Sequence, residues 1–315
     1  MSIEEVCMIY REFSQFSRPL PAVTFGGASL SGEGGGYGFG EMSENHAERL
    51  IKKAWDEGIT LFDTAPIYGF GLSEERLGRY MPKDAMVISK SGVDWHPTKR
   101  VNMTNAAENT SRMLHESLKR LKRECIDIYM IHWPDQKVDI QEPLAVLKEA
   151  QEAGKIKHIG LCNTTPEDLA RARKVCQIDV LQSELNLFNT EPFDRLKGEW
   201  QSAFSMSWGT FDKGILTGRV NPERKYDKSD ARSWAPWWNK QDVLVKIERT
   251  EKLKTILDKF DISLQDFCLH FNLYYYGLST VLIGFKQEND VVQVTSNLQQ
   301  KLMRERIEEV LVLWK

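Results

Sequence analysis

The chain has 315 residues, 41% hydrophobic and 28% charged, with a formal net charge of −3. That balance describes a globular protein and offers no general attraction to nucleic acid or to an anionic membrane surface. No apolar run approaches the roughly 20 residues of a membrane helix, and the five cysteines include no CxxC pair. A reducing cytoplasm, with neither zinc nor a disulfide framework, is the expected setting; Glu4, Glu5 and Arg11 do not read as a secretory signal.

Strand-like and helix-like segments alternate along the chain. Ala22–Phe25 is short, apolar and followed by Gly26 and Gly27. Residues 44–57 place Ala47, Leu50, Ile51, Ala54 and Trp55 at helical spacing, and Gly58 closes them. Strands are expected at 59–62, 86–89, 126–131 and 157–161, with helices at 73–80, 105–121 and 142–153 between them. Thr165-Pro166 reads as a helix cap with proline at the first position. Further strands at 179–182, 203–207 and 280–284 complete a set of eight. Eight such units in 315 residues favour one α/β domain over 1–315, a closed (β/α)8 TIM barrel. Residues 221–242, with Pro222, Pro236 and the Trp234/Trp237/Trp238 cluster, read as a long loop, either a lid or an oligomer patch. Gly32–Gly40 reads as a flexible first βα loop.

Barrel enzymes carry their chemistry where strands end. At those points stand Asp63, Lys90, His132, Asn163, Gln182 and Trp208, with Tyr68 five residues beyond Asp63. A free tyrosine has a pKa of about 10, so it needs help to act as an acid near neutrality. A lysine alongside lowers that pKa, an aspartate keeps the lysine charged and oriented, and a histidine orients a carbonyl oxygen. Tyr68, Lys90, Asp63 and His132 fit these roles as a unit. Taken singly, each has a bland reading: a structural ion pair, a satisfied histidine, a packed tyrosine.

At these residues the chain resembles the aldo-keto reductase superfamily. The segments are Asp63-Thr64-Ala65 with Tyr68-Gly69, Ser89-Lys90, Ile131-His132-Trp133-Pro134, and Gly154-Lys155-Ile156 leading to Asn163. The resemblance implies a barrel that reduces small-molecule aldehydes or ketones with NADPH, NADH being the alternative. It implies Tyr68 as general acid, Lys90 and Asp63 tuning it, and His132 holding the substrate oxygen. It places Asn163 and Gln182 at the nicotinamide carboxamide, Trp208 stacked on the ring, and Trp133 in the substrate pocket. Gly27, Gly209, Gly284 and Lys286 fall at its cofactor positions. No metal, nucleic acid or membrane partner is implied, and an oligomer is compatible with it.

The chain departs from the pattern in places. Cys162 stands where the family usually has serine, and a thiol is a weak hydrogen-bonding group. Gly209-Thr210-Phe211 replaces Ser-Pro-Leu. Beyond Lys286, which suits a 2′-phosphate, Asp290 stands where that phosphate would be met, and Arg219 and Arg232 are candidate replacements for the missing charge. Neither Gly32–Gly40, which lacks GxGxxG, nor residues 209–214, followed by Ile215 instead of lysine, is a nucleotide motif of its own. Two rival functions remain: a nucleotide-binding regulator resembling channel β subunits, with little turnover, and a Schiff-base enzyme using Lys90.

Overall fold

The computed structural model describes residues 8–32, 37–298 and 301–315. Among them, eight parallel strands close into a barrel in chain order. They are β1 (Val23–Gly26), β2 (Leu61–Asp63), β3 (Met86–Ser91), β4 (Ile126–Ile131), β5 (Ile156–Cys162), β6 (Val180–Glu184), β7 (Phe204–Trp208) and β8 (Thr280–Ile283). The ring closes where Val281, Leu282 and Ile283 of β8 pair with Val23, Thr24 and Phe25 of β1. The Thr24 and Thr280 hydroxyls share a hydrogen bond of 2.9 Å across that seam.

Helices cover the outside: α1 (Glu44–Asp56), α2 (Leu72–Tyr80), α3 (Ala107–Leu121), α4 (Gln141–Glu152), α5 (Pro166–Ala172), α6 (Glu191–Asp194), α7 (Lys240–Leu257), α8 (Leu264–His270), α9 (Glu288–Asn297) and α10 (Arg304–Trp314). Their apolar stripes face the barrel: Ala47, Leu50, Ile51 and Ala54 of α1 are buried, as are Met113, Leu114, Leu118 and Leu121 of α3. Ser43 caps α1 by accepting from the His46 amide, and Thr165 caps α5 by accepting from the Asp168 amide. Each such cap stabilises its helix by about 1 kcal/mol.

Successive side chains of a strand alternate between the helix layer and the barrel interior. Inside, Leu61, Met86, Ile88, Ile128, Met130, Val180, Phe204 and Met206 form one apolar cluster. Two residues further along the same inward rows come Asp63, Lys90, His132, Gln182 and Trp208. Each row therefore climbs from an apolar floor to a polar rim, and this periodicity is what positions the site. Gly160 is required within this interior, because a Cβ there would lie 2.9 Å from Met130 Cε and 3.0 Å from Val180 Cβ.

The floor is plugged by an N-terminal hairpin in which Tyr10–Arg11 pairs with Leu20–Pro21. Phe13 and Phe16 reach Phe204 with ring centroids 4.9 and 5.4 Å away. A second hairpin, Val93–Trp95 with Val101–Met103, follows β3. Neither hairpin is evident in the sequence pattern, since both consist of two or three residues per strand. The segment read as a loop over 221–242 gives way to α7 at Lys240, capped by Asn239. It does not stand alone. Asp230 forms a β-bridge with Phe39, the Ala231 amide donates to the Gly38 carbonyl at 2.9 Å, and Trp234 meets Tyr37. The first βα loop and this segment thus join over the strand-end face; residues 33–36 of that loop lie outside the described residues. No helix among the described residues is long and apolar enough to cross a membrane.

Candidate active site

Asp63 ends β2 and is 1% exposed. Both its oxygens accept from Lys90 Nζ at 2.7 Å, and Lys90 also donates to the Thr64 carbonyl at 3.0 Å. Burial raises the Asp63 pKa, opposed by Lys90 and by a hydrogen bond from Gln182. A buried ammonium and carboxylate persist here because each satisfies the other.

Tyr68 is held in the turn after β2, its amide bonded to Ala65 O at 3.1 Å and its carbonyl accepting from the Ser73 amide at 3.2 Å. Lys90 Nζ lies 5.7 Å from the Tyr68 ring centroid, and the His132 ring meets that ring edge-on at 5.8 Å. All four residues of the expected acid–base unit are brought together. Burial, followed by the Asp63 carboxylate and Cys162, raises the Tyr68 phenol well above the usual tyrosine value, opposite to the expected lowering. Burial, with Lys90 beside it, pushes His132 well below the usual imidazole range. At neutral pH the site therefore presents a protonated phenol and a neutral imidazole.

The second half of the site lies on β5 to β7. Asn163, in the left-handed region at φ 54°, donates to His132 O and to Cys162 Sγ, both at 3.1 Å, and its Oδ1 accepts from Trp208 Nε1 at 3.0 Å. Trp208 is thereby fixed as a half-buried wall, and Trp133, 40% exposed, packs against it edge-on at 6.5 Å. Gln182 donates to Asp63 Oδ2 at 2.9 Å and accepts from the Cys162 thiol at 3.2 Å. Burial pushes that thiol far up, so Cys162 is an inert link.

Gly27 opens the turn after β1, and a Cβ there would come 2.5 Å from the Asp63 carbonyl; close packing alone requires glycine. Gly209 sits at φ 74° directly after Trp208, and Gly284 follows β8 beside Ser29. Lys286 does not face outward. Its amine donates to the carbonyls of Ser29 at 3.2 Å and Gly40 at 3.4 Å, and burial lowers its pKa to about 8. Arg219 pairs with Asp290 at 2.7 Å. Arg232 grips Asp230, donates to Lys213 O, and lies 4.2 Å from the Tyr226 ring centroid, so it serves the loop's own structure.

Lys213 went unnoticed in the sequence. It lies 5.8 Å from the ring centroids of both Trp208 and Trp237 and is ion-paired to Glu184 and Asp212. Burial pulls its pKa down, but the two carboxylates outweigh that and raise it. Asp212, Lys213 and Gly214 all have positive φ, a turn geometry that the residue types do not reveal.

The model of the aldo/keto reductase family matches residues 22–314. The chain belongs to that family. It is 33% identical over 229 residues to the aldo-keto reductase YhdN of Bacillus subtilis, covering 70% of this chain and 69% of that one. It is 28% identical over 248 residues to the NADP(+) aldo-keto reductase yakc of Schizosaccharomyces pombe, covering 75% and 72%. It is 26% identical over 267 residues to the NADH-specific methylglyoxal reductase of Escherichia coli, covering 78% and 80%. Among solved structures, a glycerol dehydrogenase of Gluconobacter oxydans superposes with a TM-score of 0.84 at 29% identity, covering 96% of this chain and 94% of that one. As an aldo/keto reductase, the chain is of the oxidoreductase type, with the (β/α)8 barrel of its structural neighbours.

Proposed function

We propose that this aldo/keto reductase, acting as one domain in a reducing compartment, reduces a small aldehyde or ketone to an alcohol, with Tyr68 as the proton donor. The carrying observation is the convergence of Tyr68, Lys90, Asp63 and His132 on one rim of the barrel, beside the wall formed by Trp208. The neutral His132 imidazole has an N–H to offer a carbonyl oxygen, and the protonated Tyr68 phenol has a proton to give it. Lys90, tethered on both oxygens of Asp63, keeps positive charge beside the phenol as it loses that proton.

The residues fit a nicotinamide. Asn163 Oδ1 and Gln182 Oε1 each accept one hydrogen bond, leaving each a spare lone pair. Two spare acceptors suit the two N–H groups of a carboxamide, and the Trp208 indole suits the ring face. When bound, the reduced dinucleotide supplies the hydride. For the adenosine end, Lys286 supported NADPH in the sequence. Its amine bonds the Ser29 carbonyl and Arg219 is engaged by Asp290, so neither stands as a free cation for a 2′-phosphate, and NADH remains the alternative.

The test is a panel of small carbonyls followed by consumption of NADPH and of NADH, with Tyr68→Phe as the control. The variant should lose about 10²–10⁴-fold in turnover while binding cofactor nearly as well, measured by quenching of tryptophan fluorescence. Unchanged turnover would remove Tyr68 as the acid.

A further inference from the structure

The bond between Gln182 and Asp63 belongs to a longer run of side chains. Lys90 Nζ donates to Asp63 at 2.7 Å, and Gln182 Nε2 donates to the same carboxylate at 2.9 Å. Gln182 Oε1 accepts from Cys162 Sγ at 3.2 Å, and that sulfur accepts from Asn163 Nδ2 at 3.1 Å. Asn163 Oδ1 then receives the Trp208 indole N–H at 3.0 Å. Continuous bonding thus links the proton-delivery centre to the wall proposed for the nicotinamide.

Gln182 is the member whose placement is least accounted for by cofactor binding alone. In the closed eight-stranded order, β2 and β6 stand four places apart, diametrically opposed. Its amide therefore crosses the barrel mouth to reach Asp63. Met206 Sδ lies 3.9 Å from the same nitrogen, below the bond. Asp63 is also faced by Lys90 from β3, by Tyr68 from its own loop and by Cys162 from β5, with His132 from β4 next to Lys90. Of these neighbours, Lys90 and Gln182 donate to the carboxylate through side chains. Without Gln182, a buried carboxylate rests on Lys90 alone.

We propose that Gln182 is a positioning residue of the proton-delivery centre: it acts as a strut across the barrel mouth that holds the Asp63 carboxylate, ionised, against Lys90. This rests on the reading of Tyr68 as proton donor, which needs an ordered Lys90–Asp63 pair beneath it. The sign of the consequence is fixed. A donor to a carboxylate favours its charged form, so removing the donor raises the pH at which Asp63 takes up a proton. A hydrogen bond to a charged group has the strength to move that pH by about one unit.

The experiment compares the wild-type protein with Gln182→Met, of similar length but without a donor, and Gln182→Asn, which keeps the amide but is one methylene too short to span the mouth. Three quantities are read: the buried carboxyl band in infrared difference spectra of cofactor-free protein against pH, the acid limb of kcat at saturating cofactor, and the cofactor dissociation constant by tryptophan fluorescence. Both variants should raise the carboxyl transition by about one pH unit, and the acid limb should move with it. If cofactor affinity weakens while the carboxyl transition and the acid limb stay in place, Gln182 serves the cofactor alone and the proposal is wrong. A uniform fall in kcat at every pH, with no shift, marks a packing residue and is equally fatal. The infrared titration needs no turnover, so it still decides the role of Gln182 if the protein proves unable to reduce any carbonyl. Conversely, a shifted carboxyl with Tyr68→Phe fully active would sink the proton-donor reading and leave the strut standing.

Discussion

The two ends of the barrel mouth handle charge in opposite ways. At the β2–β4 rim, charged and polar groups from different strands converge: Asp63 meets Lys90 and Gln182, and Tyr68 meets His132. Beyond β7 and β8, cations are turned back on their surroundings: Arg219 on Asp290, Arg232 on Asp230, and Lys286 on the carbonyls of Ser29 and Gly40. The first end holds an ion pair that is 1% and 2% exposed, whereas Arg219 at the second is 53% exposed. Burial makes the first pair obligatory and leaves the second adjustable, because an exposed pair contributes only about 0.2–1 kcal/mol. Under the proposed function, proton delivery would rest on the buried strand-end pair and the choice of cofactor on the exposed Arg219–Asp290 pair.

Three substitutions bear on that contrast. Lys90→Met should have the largest effect: an uncompensated carboxylate at Asp63 costs about 3–5 kcal/mol, read as a lowered urea midpoint at neutral pH. A midpoint within error of wild type would mean the pair is not obligatory. Asp290→Asn is expected to release Arg219 and to tighten NADPH binding by up to about fivefold with little change for NADH, measured by fluorescence titration. Equal changes for both cofactors would place Asp290 away from the 2′ position.

The smallest effect concerns Lys286. Its folded pKa of about 8 lies below the unfolded value of about 10.4, so between those limits the unfolded chain binds more protons and native stability rises with pH. The cost of keeping the ammonium in place is fully present below about pH 8. Lys286→Met removes that cost but also the bonds to Ser29 O and Gly40 O, so the melting temperature at pH 7 should rise by only about 2 °C, with the gain gone by about pH 10.5. A gain independent of pH would point to better packing instead of a lost charge.

The sequence was most legible where periodicity and chemistry coincide. The eight strands follow from apolar runs alternating with amphipathic helices, and inward rows such as Met86, Ile88, Lys90 show why a polar residue at a strand end lies in the mouth. What stayed hidden depends on side-chain direction and loop path. Lys286 reads as a partner for a 2′-phosphate until its amine is found bonded to the carbonyls of Ser29 and Gly40. Cys162 reads as a weak substitute for serine until it is seen linking Gln182 and Asn163. The pairing of Phe39 with Asp230 joins residues far apart in sequence through backbone contacts, which carry no residue-type signature. The upward shift of Tyr68 was likewise invisible, because its chief cause is burial, which depends on how the loops pack over the ring.

The seam between β1 and β8 has a consequence for biosynthesis. Thr24 and Thr280, which share a hydrogen bond there, are 256 residues apart. Arg11, in the floor hairpin, donates to Leu278 O and Ser279 O, just before β8. At about 5–20 residues per second, the first strand waits roughly 13–50 s on the ribosome for its second neighbour. During that interval one edge of β1 lacks its partner strand and presents unpaired backbone groups, so closure of the barrel must wait for the last strand.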